Sequence, residues 1–155
     1  MLESLIGDET FRIGIKNYIK KYSYSTTLTN DLWNELSNVA DKNLDVEKIM
    51  QTWLQKDGFP IITIKIDNKN NSMKFVQERF FKDSSNSIST YLWSIPITYR
   101  LINQKFSNIS GNVQKIIMDT KEMYRDDIKI ETDDLIKFNV DQKGLYIVNY
   151  PIEQW

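Results

Sequence analysis

A chain of 155 residues with no histidine, no cysteine and a formal net charge of −1 excludes much hydrolytic chemistry before any pattern is read. Ser-His and Cys-His nucleophile systems need an imidazole, and a catalytic zinc site here would have to be assembled from carboxylates alone. Basic residues are scattered, with Lys20-Lys21 the one doublet, so the stripe that displaces counterions from nucleic acid is missing and no nucleic-acid partner is expected.

A chain of this length buries about two thirds of its unfolded surface, enough for a real core. Its 41% hydrophobic and 26% charged content is that of an ordinary folded domain. The absence of cysteine excludes disulfides and leaves the redox compartment open. No run approaches the roughly 18 apolar residues of a membrane span, so no membrane contact is expected of this segment. Met1-Leu2-Glu3-Ser4-Leu5-Ile6 has no basic start and is interrupted by Glu3; it reads as part of a helix, not a signal peptide.

Residues 1–57 carry the helical period. Gly7 and Asp8 punctuate a first short helix. Phe11, Ile15, Tyr18 and Tyr22 then form one apolar stripe, with Lys16, Lys20 and Lys21 on the wet side. After the polar turn of residues 23–27, Thr29 or Asn30 is the expected N-cap of a helix packing through Leu32, Trp33, Leu36 and Val39. Asp45 is the expected cap of another, with Val46, Ile49, Met50, Trp53 and Leu54. Asp57-Gly58 is expected to end it, Gly58 taking the left-handed C′ position and Pro60 forbidding more helix.

Beyond Pro60 the period is two. Ile62, Ile64 and Ile66 alternate with Thr63 and Lys65. Residues 67–72 read as a polar turn and 73–81 as the partner strand. Tyr91, Trp93, Ile95, Ile97, Tyr99 and Leu101 share one face of a further strand, with Leu92, Ser94, Pro96, Thr98 and Arg100 on the other. Pro96 cannot donate to a ladder and is expected at an edge or bulge. Shorter strands are expected over 113–118, 128–130, 135–140 and 145–150. The pattern is α+β: a short helical segment followed by an antiparallel β-sandwich.

Few motifs carry chemistry. Asp67 to Ser72 with Glu78 resembles a calcium loop at its ends, but Lys69 takes a ligand position and Ser72 replaces the bend glycine. A hairpin turn is the better reading. Asp126, Asp127, Glu131, Asp133 and Asp134 form an acidic cluster of the kind usually just solvated. Asn70 and Asn108 head glycosylation sequons. Trp33, Trp53 and Trp93 fall on expected core faces, so packing is preferred over a ligand platform for them and for Trp155.

Together, four segments resemble one family, the zinc aminopeptidases of the aminopeptidase N and oxytocinase type. They are Leu5-Ile6-Gly7-Asp8-Glu9-Thr10-Phe11 with Asp31-Leu32-Trp33; Ile49 to Ile64 through Trp53, Gly58 and Pro60; Gln77-Glu78-Arg79-Phe80 with Leu92 to Tyr99; and Ile136 to Val140 with Gly144 to Tyr150. The resemblance implies a division into residues 1–57, the helical end of a thermolysin-like catalytic domain; 58–150, a linking β-sandwich; and 151–155, with Trp155, the start of a C-terminal helical domain. The family's HEXXH helix, third zinc ligand, GAMEN loop and catalytic tyrosine have no counterpart in this sequence.

No catalytic, metal or substrate-binding residue can therefore be carried over, and the resemblance implies zinc for the parent and no cofactor for this chain. Trp53, Gly58, Pro60, Trp93, Pro96, Tyr146 and Tyr150 become structural residues of the junction and sandwich, with Trp53 expected to bolt the two parts together. The implied function is a non-catalytic portion of an enzyme that removes N-terminal residues from peptides. Its partner is the rest of the parent chain, and an exposed helical face is expected to promote self-association. Tyr91-Leu92-Trp93 leans toward membrane-anchored and luminal members. The alternative is a stand-alone truncated paralogue that binds a protein or peptide without cleaving it.

Overall fold

The computed structural model describes residues 1–67, 72–82, 90–103, 112–128 and 134–151. They fall into two units, Met1–Gln55 and Lys56–Trp155.

In the first unit four helices follow the expected order: α1 (Leu2–Ile6), α2 (Asp8–Lys21), α3 (Thr29–Val39) and α4 (Val46–Leu54). Gly7, at φ 95°, breaks α1 from α2 in a conformation that side chains disfavour. Asp8 and Glu9 in the first turn of α2 and Lys20 and Lys21 in its last complement the helix dipole. Asp45 caps α4, its Oδ1 accepting from Lys48 N at 2.9 Å. Trp33, Leu36 and Val46 form the buried centre, with Leu2, Ile6, Phe11, Ile15, Leu32 and Met50 packed around them.

Two local expectations for this unit are corrected. The N-cap of α3 is Leu28, not Thr29 or Asn30. The Asp31 carboxylate, three residues on, accepts from Leu28 N at 2.8 Å, the N3-to-N-cap half of a capping box. The last helix ends at Leu54 with Gln55 as its C-cap, so Gly58 is too late to be C′; its φ of 83° instead turns the chain toward Pro60. Lys21 lies on the exposed side of α2 as expected, and its Nζ also reaches to 2.5 Å from Oε1 of Glu35, which is only 7% exposed.

The second unit is two sheets. One has the order β5-β2-β1-β7 and the other β4-β3-β6. The strands are β1 (Pro60–Asp67), β2 (Ser72–Arg79), β3 (Ile95–Asn103), β4 (Gln114–Met118), β5 (Glu122–Arg125), β6 (Asp134–Phe138) and β7 (Ile147–Asn149). Period-two alternation decides the faces. Ile62, Ile64, Met73 and Phe75 point inward from one sheet, and Ile95, Ile97, Met118, Ile136 and Phe138 from the other. Phe75 and Phe138 meet edge to face with centroids 5.6 Å apart, joining the sheets. The fold is α+β, and β7 runs parallel to β1 in an otherwise antiparallel arrangement.

The long central strand departs from its expected form. Residues 91–94 are not strand, and β3 is a middle strand, not an edge. Pro96 is tolerated because the neighbours are staggered: β4 pairs with residues 95–99 and β6 with 99–103. Asn139 N donates to Thr98 O, so the even-numbered backbone groups of β3 face the β6 side. At Pro96 the β6 ladder has already ended, and the missing N–H removes no ladder bond. Residues 93–99 are buried on both faces, so the expected one-sided alternation fails there.

The expected strand at 128–130 is not found at Ile128, a buried residue outside any strand. An unforeseen strand, β5, precedes it. Strand β6 stops at Phe138, because Asn139 is left-handed at φ 48° and Val140–Gln142 form a short 3-10 turn. Asp67 and Ser72 pair as the last rung of β1 and β2, so antiparallel strands flank the calcium-like stretch, not helices. Residues 68–71, Asn70 among them, lie outside the described residues, as do Asn108, Ile130, Glu131, Asp133 and Trp155.

Candidate functional site

Among the described residues no three His, Cys, Asp or Glu side chains are grouped so as to hold a metal ion. Two carboxylates of the sandwich are tied to cations instead. Asp127 pairs with the Arg125 guanidinium, Nε to Oδ1 at 2.6 Å, and that hydrogen bond holds its carboxyl below the usual range. Glu122 lies 2.7 Å from Lys74 Nζ and is lowered by that contact. With neither imidazole nor thiolate in the sequence, this donor set does not fit a zinc ion.

The polar chemistry of the sandwich is architectural, and it is built around two side-chain amides, one buried and one half-buried. Gln77 takes an inward position on β2 in series with Met73 and Phe75, and is 1% exposed. Its Nε2 donates to Trp93 O at 3.1 Å and to Thr120 O at 2.7 Å, while Oε1 accepts from Trp93 N at 2.9 Å. One side chain thus satisfies both backbone groups of Trp93 in a stretch that has no strand neighbour. Lys56 Nζ donates to the carbonyl of the adjacent Leu92, and burial lowers its pKa.

The second amide is Asn139. Its Nδ2 donates to Gly144 O and Tyr146 O, at 3.1 and 3.0 Å, and its Oδ1 accepts from Gly144 N at 2.8 Å. A Cβ on Gly144 would fall on the Tyr146 ring, so only glycine closes this loop. Thr98 anchors it from β3: Oγ1 accepts from Val140 N at 3.0 Å, and Thr98 N donates to the Tyr146 hydroxyl at 3.2 Å. Burial raises the pKa values of Tyr146 and Tyr150, with hydrogen bonds from Thr98 and Phe138 partly opposing it. Beside this knot a cleft of about 520 Å³ opens between β6 and β7, lined by Lys137, Gln142, Tyr146, Val148 and Tyr150.

The residues expected at the junction belong to several local settings within their own units. Trp53 is half-buried on α4. Gly58 lies against Arg79, where a Cβ would sit 3.2 Å from Nε; the Arg79 guanidinium in turn covers the rings of Phe81 and Tyr91. Pro60 opens β1, opposite Arg79. Trp93 and Pro96 belong to the segment held by Gln77 and to β3, and Tyr146 and Tyr150 to the knot at Asn139. Sequence reasoning did not single out Gln77, Asn139 or Thr98. The available signal was Gln77 at the third inward position after Met73 and Phe75, where an apolar residue is the norm.

The profile of the peptidase family M1 domain matches residues 1–53. The whole chain is 32% identical to endoplasmic reticulum aminopeptidase 1 of Mus musculus, covering 100% of this chain and 18% of that protein. It is 34% identical to leucyl aminopeptidase of Saccharolobus solfataricus, over 97% of this chain and 17% of that protein. Aminopeptidase M1-D of Oryza sativa subsp. japonica is 33% identical over 99% of the chain and 17% of its own length. The chain spans under a fifth of the curated relatives it matches.

Proposed function

We propose that this chain, which resembles the M1 aminopeptidases along its whole length, is a non-catalytic part of such an enzyme: residues 1–57 the helical end of its catalytic domain, 58–150 its linking β-sandwich and 151–155 the start of a further helical domain. The observation that carries the reading is collinearity. Almost the whole chain aligns with 17–18% of relatives as distant as mouse and an archaeon, and the family profile stops at residue 53.

The parent enzyme would remove N-terminal residues from peptides with a zinc-activated water, in a luminal or extracellular setting. This chain contributes rigidity. The hydrogen-bonded amides of Gln77 and Asn139 and closely fitted glycines give a stiff spacer, and a stiff spacer fixes the distance between the domains it joins. The partner is the remainder of the parent chain. Helix α2 supports that reading, since Ile13 and Ile19 are 42% and 61% exposed; such side chains are what a missing neighbour would cover.

The test has two arms. The isolated chain is assayed for release of aminoacyl reporters and, after dialysis, for zinc by elemental analysis; neither activity nor one zinc per chain is expected. The chain is then co-expressed with an M1 segment that ends where it begins. Recovery of reporter hydrolysis supports the spacer reading. A monomer that binds no hydrophobic dye and rescues no activity favours the stand-alone binding module.

A further inference from the structure

Strand β2 carries its inward series past the core to a charge. Met73, Phe75 and Gln77 alternate inward and are buried, and Arg79 takes the next inward position, at the end of the strand. Its partner on β1 is Pro60, which follows Gly58 and Phe59, so the opposing chain offers it no polar side chain there. The rings of Phe81 and Tyr91 lie 5.0 and 5.2 Å from the guanidinium carbon. The Gly58 backbone closes a further side, since a Cβ there would sit 3.2 Å from Nε. All of these residues belong to the second unit.

The cradle is complete except for an anion. Among the described residues Arg79 makes no hydrogen bond and no ion pair, and its contacts are with the two rings. Asp57, one residue before Gly58, is exposed and does not pair with it. Nε is buried, so that edge of the guanidinium is out of a ligand's reach. The two terminal nitrogens are neither buried nor hydrogen-bonded, and they form the open edge. A guanidinium that has lost water on one edge and lies between apolar walls is a costly charge until an anion compensates it. The open edge carries parallel N–H donors spaced for the two oxygens of one carboxylate. Tyr91 is 37% exposed and Phe81 half-buried, so apolar surface remains beside the cation for the body of a ligand.

We propose that Arg79 anchors a carboxylate-binding site, in which the ligand's carboxylate accepts hydrogen bonds from the terminal nitrogens and its apolar body lies on Phe81 and Tyr91. The inference goes beyond the spacer reading and does not depend on it.

Two probes separate the sources of such a carboxylate. Hydrocinnamate is a free acid on a phenyl ring; acetyl-Glu-Phe-amide is a blocked peptide whose one carboxylate is a side chain. Each is titrated into the isotope-labelled whole chain while the Arg79 Nε–Hε resonance is followed, a proton whose burial slows its exchange with water. A saturable shift with at least one probe is expected, with Kd on the order of 1 mM for ligands of this size, and the tighter probe identifies the source. Hydrocinnamide, which lacks the charge, should not saturate. Arg79→Gln should raise Kd at least tenfold, read from the backbone amides of Phe81 and Tyr91. Arg79→Lys keeps the charge but not the fork; it should raise Kd at least threefold, and it tests the site where Arg79→Gln folds poorly. Lys65→Gln, an equal loss of charge on the outer face of the same sheet, should leave Kd unchanged. No saturable shift with either probe, equal binding of hydrocinnamide, equal loss with Lys65→Gln, or tighter binding of inorganic phosphate than of both probes would overturn the assignment.

Discussion

The Tyr150 hydroxyl stands in for a missing strand beside Phe138: it accepts from Phe138 N at 2.8 Å and donates to Phe138 O at 3.3 Å. Phe138 lies on β6, at the rim of the three-stranded sheet, where exposed backbone groups invite pairing with another chain. Tyr150→Phe removes that cover and keeps the ring that packs against Phe138. Leaving a partly buried backbone pair unsatisfied costs about 1–3 kcal/mol. The expected outcome is a lower melting temperature for the sheet signal and faster hydrogen exchange at the Phe138 amide. Unchanged exchange there would show that the hydroxyl does not guard the edge.

Gln77→Leu should be more damaging. The substitution keeps the side chain's bulk but strands Trp93 N, Trp93 O and Thr120 O, all of which Gln77 satisfies. Thr120 is exposed and its carbonyl can turn to water, so the cost falls on the two buried Trp93 groups, at about 1–3 kcal/mol each. Gln77→Glu tests the chemistry from the other side, because a carboxylate can accept from Trp93 N but cannot donate to the two carbonyls. Urea unfolding should rank native above both variants. A stable Gln77→Leu would mean that water replaces the amide.

Gly14→Ala sets helix propensity against packing. Alanine is favoured over glycine inside a helix by about 1 kcal/mol. Here the added Cβ would lie 2.7 Å from Leu36 Cδ2, 3.1 Å from Val39 Cγ2 and 3.3 Å from Leu36 Cα. Leu36 is fully buried, so its side chain has nowhere to retreat, and overpacking of this kind costs about 1–3 kcal/mol. The helical unit should therefore melt earlier, by far-ultraviolet circular dichroism. A gain in helix stability would show that α2 and α3 can separate without penalty.

How much was legible follows from the range of each interaction. The four helices, the cap at Asp45 and the inward faces of Ile62, Ile64, Ile95 and Ile97 are written in local periods, and they could be read. Pro96 misled because its tolerance depends on where β6 stops, a fact of strand stagger with no local signature. The cap at Leu28 was hidden because the acceptor sits three residues along, on Asp31. Gln77 and Asn139 look like surface amides in sequence; the structure shows that Gln77 serves backbone groups 16 and 43 residues along the chain and that Asn139 closes a loop on Gly144 and Tyr146. The amide at Gln77 reaches Thr120, 43 residues away. Asn139 and Gly144 are a joint specification, and neither residue reveals it alone.

The last prediction is a loss of stability in alkali that traces to Tyr146. Burial raises its pKa above the usual value, hydrogen bonds from Thr98 opposing in part. An unfolded tyrosine ionises near pH 10. Above that pH the unfolded chain sheds the proton while the folded chain still holds it, so unfolding becomes progressively easier. The stabilising difference is thus whole below about pH 10 and lost as pH rises through the folded value. Lysines with raised values, Lys74 and Lys21, lose stability in the same direction, so the parent curve alone does not isolate the phenol. Tyr146→Phe does. It removes the acceptor for Thr98 N, which should lower stability at neutral pH by about 1 kcal/mol, and it removes the ionisable group, which should flatten the fall above about pH 10. Urea midpoints measured across that range for both proteins would converge as pH rises. Parallel curves would show that the phenol ionises without unfolding the knot around Asn139.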